Sequence, residues 1–514
     1  MKRRKEGEKK TRRKKSEKEE LASYRVNANG YYANVRIYKS EKEFVPIYHV
    51  SLKRINKATL AVLDEIRERL VKEMPVAERE ARDPEEIERS KREFLARVKR
   101  EIRKVIPKIE KEDLNFLAGY LLNNIIGLGE IEIFLHDEHL EEVAVNSSRE
   151  NIWVYHRDLG WLKTNLKVGS EEKIENYASL IGRKVGKRIT ILTPLMDAHL
   201  LTGDRVNATL FPISNKGNTL TIRKFKKKPI TITDLYFTKT ASKELLALLW
   251  QAVQYEISII VSGGTASGKT TFLSALMSFT PPNQRLISIE DTREIQLPKF
   301  LHWVPLTTRP PSSEGTGEVT MLDLLINSLR MRPDRIVVGE IRRQREAEVL
   351  FEALHTGHSV YSTLHADTAS QTVDRLTTPP INLPPSMITA LPLIVVMYRQ
   401  RRLGIRRAFE IAEIVPERRE PSLNIIYKWL PKQDKITKIN ESIRLAQELT
   451  LHTGMTKEEM RRDLLEKERI LTWIFKHRID DLDMLGKIIS TYYAHPEEVI
   501  KHVKENADPR KVFG

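Results

Sequence analysis

The stretch that most restricts the fold of this chain is IIVSGGTASGKTTF, residues 259–272. A run of branched apolar residues ends there, glycines and small polar residues follow, and Lys-Thr-Thr opens a helical pattern. The segment Gly263–Thr270 matches G-x-x-x-x-G-K-[ST] at every position, between a strand pattern and a helix pattern. Glycines allow successive N–H groups to point at an anion, and the helix N-terminus adds positive potential. The sequence therefore predicts a phosphate-binding loop.

The loop assigns a role to each of its residue types. Lys269 would place its charge between the β- and γ-phosphates, and Thr270 would offer a hydroxyl to Mg²⁺, so ATP and Mg²⁺ are the expected cofactors. The alternative is a glycine-rich turn with a chance lysine, which the flanking patterns disfavour. The predicted nucleotide-binding residues are Gly263, Gly264, Thr265, Ala266, Ser267, Gly268, Lys269, Thr270 and Thr271.

Two apolar strand patterns downstream end in carboxylates. LISIED ends at Glu290 and Asp291, with Glu294 shortly after it, and RIVVGE ends at Glu340. Ligands of parallel α/β sheets bind at the carboxyl ends of the strands, beside which these side chains would lie. Glu340 could there hold Mg²⁺ through water or orient the attacking water. For both segments, a strand that runs into a surface turn is the alternative.

Three histidines, His355, His358 and His365, fall within eleven residues of the segment HTGHSVYSTLH. Metal binding is one interpretation, but the i, i+4 spacing of a helical metal site cannot hold across Gly357 and the strand-like SVYSTLH. A satisfied core histidine is another interpretation. Only the combination with the loop and the two carboxylates favours a role near phosphate.

Composition limits the possible partners. The formal charge is +17, and the first twenty residues hold eleven Lys/Arg against five Glu. Such a tail could contact anionic lipid, or it could be a solvated tail without a dedicated partner. The rest of the chain lacks the basic-aromatic stripe of single-strand binders, so no nucleic-acid partner is expected. The absence of Cys excludes disulfides and cysteine-ligated zinc and fits a reducing cytoplasm. No apolar stretch approaches the roughly 20 residues of a membrane span.

Helix and strand patterns alternate from about residue 235, which predicts an α/β fold with a mostly parallel sheet. The region before it reads as α+β, and the region after it as almost entirely helical, with a capping box at Thr456–Glu459 and a helix start at Asp480/Asp481. The predicted segments are a disordered basic tail (1–22), an α+β and helical region (23–112), a second α+β module (113–225), a hinge (226–234), the alternating core (235–430) and a helical C-terminal region (431–514).

Taken in order, four segments resemble the secretion ATPases of type II secretion and type IV pilus assembly and their relatives in type IV secretion. They are GGTASGKTT, ISIEDTREIQL for the family's acidic box, LRMRPDRIVVGEIR for its variant Walker B, and TGHSVYSTLHAD for its histidine box. Upstream, GLGEIEIFLHD, PLMDAHLLTGDRVNATL and LTIRKF are similar to the family's N-terminal module. The resemblance covers about residues 115–415. It favours an archaeal-type member, because TLHAD replaces the frequent bacterial TLHTN and the four-cysteine zinc insert is absent.

The resemblance implies a RecA-like P-loop ATPase core and catalytic roles for the acidic and histidine boxes. Glu340 would be the catalytic or Mg²⁺-organising glutamate, and Glu290 and Glu294 would help to position water. Which of Glu290 and Glu340 is the base stays open. His365 would couple the γ-phosphate region to the next strand, and His358 is a weaker candidate.

Arginines complete the implied site. Arg205 and Arg223 match family arginines that reach bound nucleotide from a hinged arm, which would couple chemistry to motion. Arg330, Arg332 and Arg342 could act across a subunit boundary, with ordinary surface salt bridging as the alternative.

The resemblance further implies a homohexamer at the cytoplasmic face of the cell membrane. It would power pilin or pseudopilin assembly through an inner-membrane platform protein of a secretion, pilus or archaellum machine. A type IV secretion ATPase and a nucleic-acid-stimulated translocase are the alternatives.

Overall fold

The computed structural model describes residues 19–41, 43–72, 84–200, 202–225, 228–311, 315–400, 402–418 and 420–514, with side chains from residue 89 onward in the third range. The predicted basic tail lies outside the described residues up to residue 18, and two residues of the predicted hinge, 226 and 227, also lie outside them. The chain forms two compact units, Met1–Phe225 and Lys226–Gly514.

The first unit is an α+β structure around one sheet. Its strands are β1 (Glu20–Ala28), β2 (Tyr31–Tyr38), β3 (Ile47–Leu52), β4 (Leu140–Val145), β5 (Trp153–His156), β6 (Gly160–Thr164), β7 (Leu195–His199), β8 (Arg205–Thr209) and β9 (Thr219–Arg223), in the order β1-β2-β3-β6-β5-β4-β9-β8-β7. Its helices are α1 (Lys57–Lys72), α2 (Pro84–Val105), α3 (Lys111–Ile125), α4 (Ile131–His136) and α5 (Glu171–Lys184).

Local chemistry explains the hairpin that begins this sheet. Asn29 and Gly30 link β1 to β2 with φ of 60° and 96°, the left-handed pair that a two-residue hairpin turn requires. Val35 and Ile37 on β2 are fully buried, in one core cluster with Phe134 of α4. The predicted segments 23–112 and 113–225 therefore share a single core.

The second unit is an α/β structure. Its strands are β10 (Ile259–Gly263), β11 (Leu286–Glu290), β12 (Trp303–Thr307), β13 (Arg335–Val338), β14 (Ser359–Leu364), β15 (Leu393–Gln400), β16 (Ile405–Glu417), β17 (Glu420–Leu430) and β18 (Lys435–Lys438). Its helices are α6 (Ile232–Phe237), α7 (Lys243–Gln254), α8 (Lys269–Met277), α9 (Met321–Ser328), α10 (Gln344–His355), α11 (Ala369–Thr377), α12 (Pro385–Ile388), α13 (Arg444–Thr453), α14 (Lys457–Lys476), α15 (Leu482–Ala494), α16 (Pro496–Glu505) and α17 (Pro509–Phe513).

The sheet of the second unit has the order β12-β11-β13-β14-β10-β15-β16-β17-β18. Strands from β12 to β15 pair in parallel, and β15 to β18 continue the sheet in antiparallel. β10, β11, β13 and β14 are buried at every position, as expected for parallel strands covered on both faces. Neighbouring residues Ile260 and Val261 belong to different core clusters, so an apolar layer covers each face. The expected mixed α/β character is confirmed.

Side-chain caps mark the starts of two helices in the second unit. The capping box at Thr456–Glu459 is confirmed at the start of α14, where the Glu459 N–H donates to Thr456 Oγ1 over 3.2 Å and Glu459 Oε2 accepts from Thr456 N over 2.8 Å. Asp481 caps α15 as expected, accepting from Met484 N.

Two elements differ from expectation. Thr231 and Asp234 form a capping box that starts α6 inside the predicted hinge, a signal that the charged KKK run before it obscured. β18 falls in the C-terminal region expected to be helical, because it completes an antiparallel ladder with β17. No helix in the described ranges combines the length and apolarity needed to cross a membrane.

Candidate functional site

The loop between β10 and α8 adopts a backbone that glycine permits. Gly263 and Gly268 have φ of 149° and 92°, and Ala266 between them has φ of 59°. A Cβ on Gly263 would lie 2.3 Å from the Met397 carbonyl oxygen, so a side chain there would collide with β15. The loop can therefore pass close to the sheet only with glycine at this position.

Lys269 begins α8 and points back over the loop. It is 7% exposed, and its Nζ donates to the Gly264 carbonyl oxygen over 3.2 Å. Burial lowers the pKa of Lys269, and the negative charges of Glu340, Glu294 and Asp367 oppose that shift. A buried cation at a helix N-terminus, beside curled backbone, is an arrangement suited to a polyanion.

The remaining loop residues divide by exposure. Thr265 and Ala266 are exposed at the tip, and Thr270 and Thr271 are half-buried in the first turn of α8. Ser267 is 1% exposed, and its Oγ has no hydrogen-bond partner in the described part of the chain. A buried hydroxyl without a partner costs free energy, so the Ser267 Oγ is a group that a bound ligand would satisfy.

His365, at the end of β14, connects the lysine to a carboxylate. Lys269 Nζ lies 3.3 Å from His365 Nδ1, and His365 Nε2 lies 3.2 Å from Glu340 Oε1. Since an ammonium only donates, Nδ1 accepts, and the neutral ring carries its proton on Nε2 and donates it to Glu340. Burial and the Lys269 charge lower the pKa of His365, which favours this neutral form.

Glu340 lies just past β13 in an ionic cluster. Arg342 donates to Glu340 Oε2 from Nε over 3.0 Å and from Nη2 over 2.8 Å, and its Nη1 contacts Asp291. Both Glu340 oxygens are thus engaged by side chains. A metal ion near Glu340 would be reached through water.

Glu290, at the end of β11, is the more deeply buried carboxylate, with 2% exposure. Its Oε1 accepts from the N–H groups of Glu294 and Ile295 over 2.9 and 3.1 Å, whereas Oε2 is buried without a partner in the described residues. Burial raises the pKa of Glu290 to about 7. A carboxylate with one open oxygen and a pKa near neutrality has the properties of a general base.

The two other histidines of the cluster lie at the opposite end of the same strand. His355 ends α10, and His358 precedes β14 and contacts Thr356 Oγ1 through Nδ1 over 3.1 Å. Six strand residues separate them from His365, about 20 Å at the usual rise. The three histidines cannot share a metal ion, and His358 is remote from the loop.

Arg205 and Arg223 lie in the first unit. They face each other across β8 and β9 and are both exposed. Arg205 forms a bidentate pair with Asp197, with Nε–Oδ1 and Nη2–Oδ2 distances of 3.2 and 2.8 Å. Glu142 is the β4 partner of Arg223. The first unit therefore presents two adjacent guanidinium groups on one face of its sheet.

Two residues beside the loop were not anticipated from the sequence. Asp367 is the last residue of the histidine box, where no role was assigned to it, and its Oδ1 would lie 2.9 Å from a Cβ on Gly264. Arg406 on β16 donates from Nε to the Ala266 carbonyl oxygen over 3.2 Å. The run RRLGIRR contains a turn signal and four arginines, but no local pattern assigns one of them to a loop 140 residues away.

The donor set fits a nucleotide phosphate chain and Mg²⁺. Backbone N–H groups of the curled loop, the Lys269 ammonium and the open Ser267 hydroxyl are groups that could bind phosphate, and the Thr270 hydroxyl with Glu340 could hold the metal. The arrangement can bind a polyphosphate and place the carboxylates Glu340 and Glu290 at neighbouring strand ends.

Comparisons with known proteins show which proteins this chain is similar to. The family described as "Type II/IV secretion system protein" matches residues 194–403. The uncharacterized protein MJ0900 of Methanocaldococcus jannaschii is 34% identical over 395 residues, 75% of this chain and 71% of that protein. The type IV secretion system protein PtlH of Bordetella pertussis is 30% identical over 307 residues, 53% of this chain and 90% of that protein. A crystal structure of the VirB11 ATPase from the Brucella suis type IV secretion system, in complex with sulphate, has 26% identity and a TM-score of 0.28, covering 54% of this chain and 90% of that one.

Proposed function

Because the chain belongs to the type II/IV secretion system protein family, we propose that it is an ATP-hydrolysing motor of a type II secretion, type IV pilus or archaellum assembly system. The observation that carries the proposal is the series of hydrogen bonds from Lys269 through His365 to Glu340, beside the phosphate loop. It links the group that holds phosphate to a carboxylate that can organise water and metal.

Each residue has a role in this proposal. Lys269 and the loop N–H groups bind the β- and γ-phosphates, and Thr270 and Glu340 hold Mg²⁺, Glu340 through water. When bound, the Mg²⁺ ion supplies charge neutralisation on the phosphoryl group. Glu290 accepts the proton of the attacking water, since its Oε2 is open and its pKa of about 7 suits a base. Glu294 helps to position that water.

Arg205 and Arg223 provide the link between chemistry and motion. We propose that the first unit, up to residue 225, acts as an arm that moves relative to a RecA-like core, residues 235–430. In a homohexamer, the arm arginines would neutralise the transferring phosphoryl group only in the closed state. Arg205 would first have to leave Asp197.

Hydrolysis is tested by phosphate release from Mg²⁺–ATP. The wild-type chain should hydrolyse ATP, and Lys269→Ala should lose at least about 100-fold in rate because the charge on the transferring group is no longer neutralised. Lys457→Ala, which removes an exposed lysine of α14, is the matched control and should retain the wild-type rate. A Lys269→Ala chain that hydrolyses ATP normally contradicts the proposal.

A type IV secretion ATPase is the second candidate, favoured by the 30% identity to the type IV secretion system protein PtlH. Both candidates act at the cytoplasmic face of a membrane with a membrane-embedded platform protein, and the basic N-terminal tail could add contact with anionic lipid. Measuring the ATPase rate with anionic vesicles and with single- and double-stranded DNA separates these motors from a nucleic-acid translocase. Strong stimulation by DNA and none by lipid would favour the translocase.

A further inference from the structure

We infer that Arg406, on the β15–β16 hairpin, is a second cation of the phosphate site and binds the nucleotide's diphosphate from the side opposite His365. The inference rests on the proposed function. It starts from the position of the side chain: Nε donates to the Ala266 carbonyl oxygen over 3.2 Å, and Cδ lies 3.3 Å from the place of a Gly268 Cβ. Arg406 therefore lies against the middle of the loop, beside the N-terminus of α8.

Such a position is electrostatically unfavourable for a guanidinium group without an anion. The N-terminal end of α8 carries positive potential, and Lys269 adds a buried cation to it. Across the antiparallel ladder, the direct partner of Arg406 is Arg399, so two like charges face each other. Within the described residues, Arg406 has no carboxylate partner, and its terminal nitrogens Nη1 and Nη2 have no hydrogen-bond acceptor.

The neighbouring residue of β16, Arg407, has the contacts expected of an arginine with a structural role. Arg407 is 4% exposed and forms a bidentate pair with Asp434, with distances of 2.7 and 2.9 Å. Its Nη1 also donates to the Thr238 carbonyl oxygen over 2.9 Å. Arg407 thus connects β16 to the β17–β18 turn and to the end of α6, which fixes the strand beside the loop and leaves the terminal nitrogens of Arg406 available.

Sheet order assigns the part of the nucleotide that Arg406 would contact. Glu290 ends β11, and Glu340 and His365 follow β13 and β14. These three strands lie on one side of β10, whereas β15 and β16 lie on the other side. The γ-phosphate belongs with the carboxylates in the proposed function. Arg406 would thus contact the phosphates that ADP shares with ATP, and the open Ser267 Oγ lies in the loop segment beside it.

Calorimetric titration of the full chain with Mg²⁺–ADP and with Mg²⁺–pyrophosphate tests this contact without relying on hydrolysis. Arg406→Ala should weaken both ligands by about 10- to 100-fold, the loss expected for a charge-assisted contact. Arg406→Lys should recover part of the affinity. The control Arg402→Ala removes an exposed arginine of the same hairpin turn and should bind as the wild type does.

Three results would overturn the inference. Unchanged affinity of Arg406→Ala would show that the side chain does not contact the ligand. A loss for ADP but not for pyrophosphate would place the contact on the ribose or base. A fall in the melting temperature of the unliganded Arg406→Ala chain, parallel to the affinity loss, would show that Arg406 only supports the loop. Failure of the proposed function is distinct, because then Lys269→Ala would bind ADP as the wild type does.

Discussion

Ala266 holds a left-handed backbone conformation, with φ of 59°, at the exposed tip of the phosphate loop. This conformation costs an L-residue about 1–2 kcal/mol, while glycine loses about 0.4–1 kcal/mol more backbone entropy on folding. We therefore expect Ala266→Gly to raise the free energy of unfolding by about 0.5–1 kcal/mol. Thermal denaturation checks this. As a control, Ala446→Gly in helix α13 should lower the free energy of unfolding by about 1 kcal/mol. A similar loss in Ala266→Gly would contradict the strain assigned to Ala266.

Glu290 gives the site a pH dependence. Its pKa is raised to about 7 by burial, so the carboxyl is protonated, and unable to accept a proton, below that pH. We expect the maximal ATPase rate to rise with pH through about 7. Glu290→Gln should lower the rate and should remove this dependence on pH. His365 titrates below its usual range, so it does not account for a step there.

The same carboxyl makes a prediction that does not require activity. In the unfolded chain its pKa is about 4.3, so between about 4.3 and 7 unfolding releases a proton. This contribution to the stability of the unliganded protein should therefore fall as pH rises through that window, and Glu290→Gln should remove it. A Gln variant whose melting temperature follows the same pH profile as the wild type would contradict the assigned burial.

One buried carboxylate accepts hydrogen bonds from the N-terminal end of helix α13. Glu413 on β16 is fully buried and accepts from the N–H groups of Ile443, Arg444 and Leu445, over 2.8, 3.2 and 3.0 Å. Glu413→Ala leaves these donors unpaired and should cost about 3 kcal/mol or more of stability. Glu417→Ala, exposed on the same strand, should change stability by less than about 0.5 kcal/mol. Equal melting temperatures of the two variants would show that the cap does not hold α13.

Helix α14 carries a buried ion pair on the face that packs against α7. Lys467 is fully buried, pairs with Asp463 and lies 5.7 Å from the Trp250 ring centroid. Burial lowers its pKa. Lys467→Ala would leave Asp463 unpaired and should cost about 3–5 kcal/mol. Denaturation alongside the exposed Lys457→Ala control measures the difference, and a small loss in both would mean that the pair contributes little to docking.

These elements also show how far local sequence signals reach. The capping box at Thr456 was predictable because its partners are three residues apart. The contact between Glu413 and α13 was not predictable from the sequence. A glutamate within an apolar strand does not indicate that the N–H groups of a helix thirty residues later will donate to its carboxylate. β18 was missed for the same reason, since a four-residue strand depends on its partner rather than on its own pattern.

At the scale of the whole molecule, the same limit applies to the site. Lys269 and the strand-end carboxylates could be placed from the sequence, because a loop motif and parallel strands bring them to one edge. Arg406 could not, since only the order of β10, β15 and β16 brings it to the loop.

The proposed ring makes a prediction about mixed assemblies. If Arg205 and Arg223 act on nucleotide bound by a neighbouring subunit, Lys269→Ala chains and Arg205→Ala/Arg223→Ala chains should each be inactive. Equal mixtures should recover about a quarter of the wild-type rate, because half of the chains keep an intact loop and half keep the arginines. No recovery after subunit exchange would contradict action between subunits.

Every role proposed for this site requires that the backbone N–H groups of residues 264–271 hold the phosphates of a nucleotide. Hydrogen–deuterium exchange with and without Mg²⁺–ADP measures those N–H groups directly. We expect Mg²⁺–ADP to slow exchange in peptides covering 264–271, and we expect Lys269→Ala to remove this effect. Unchanged exchange in those peptides at saturating ADP would contradict this requirement.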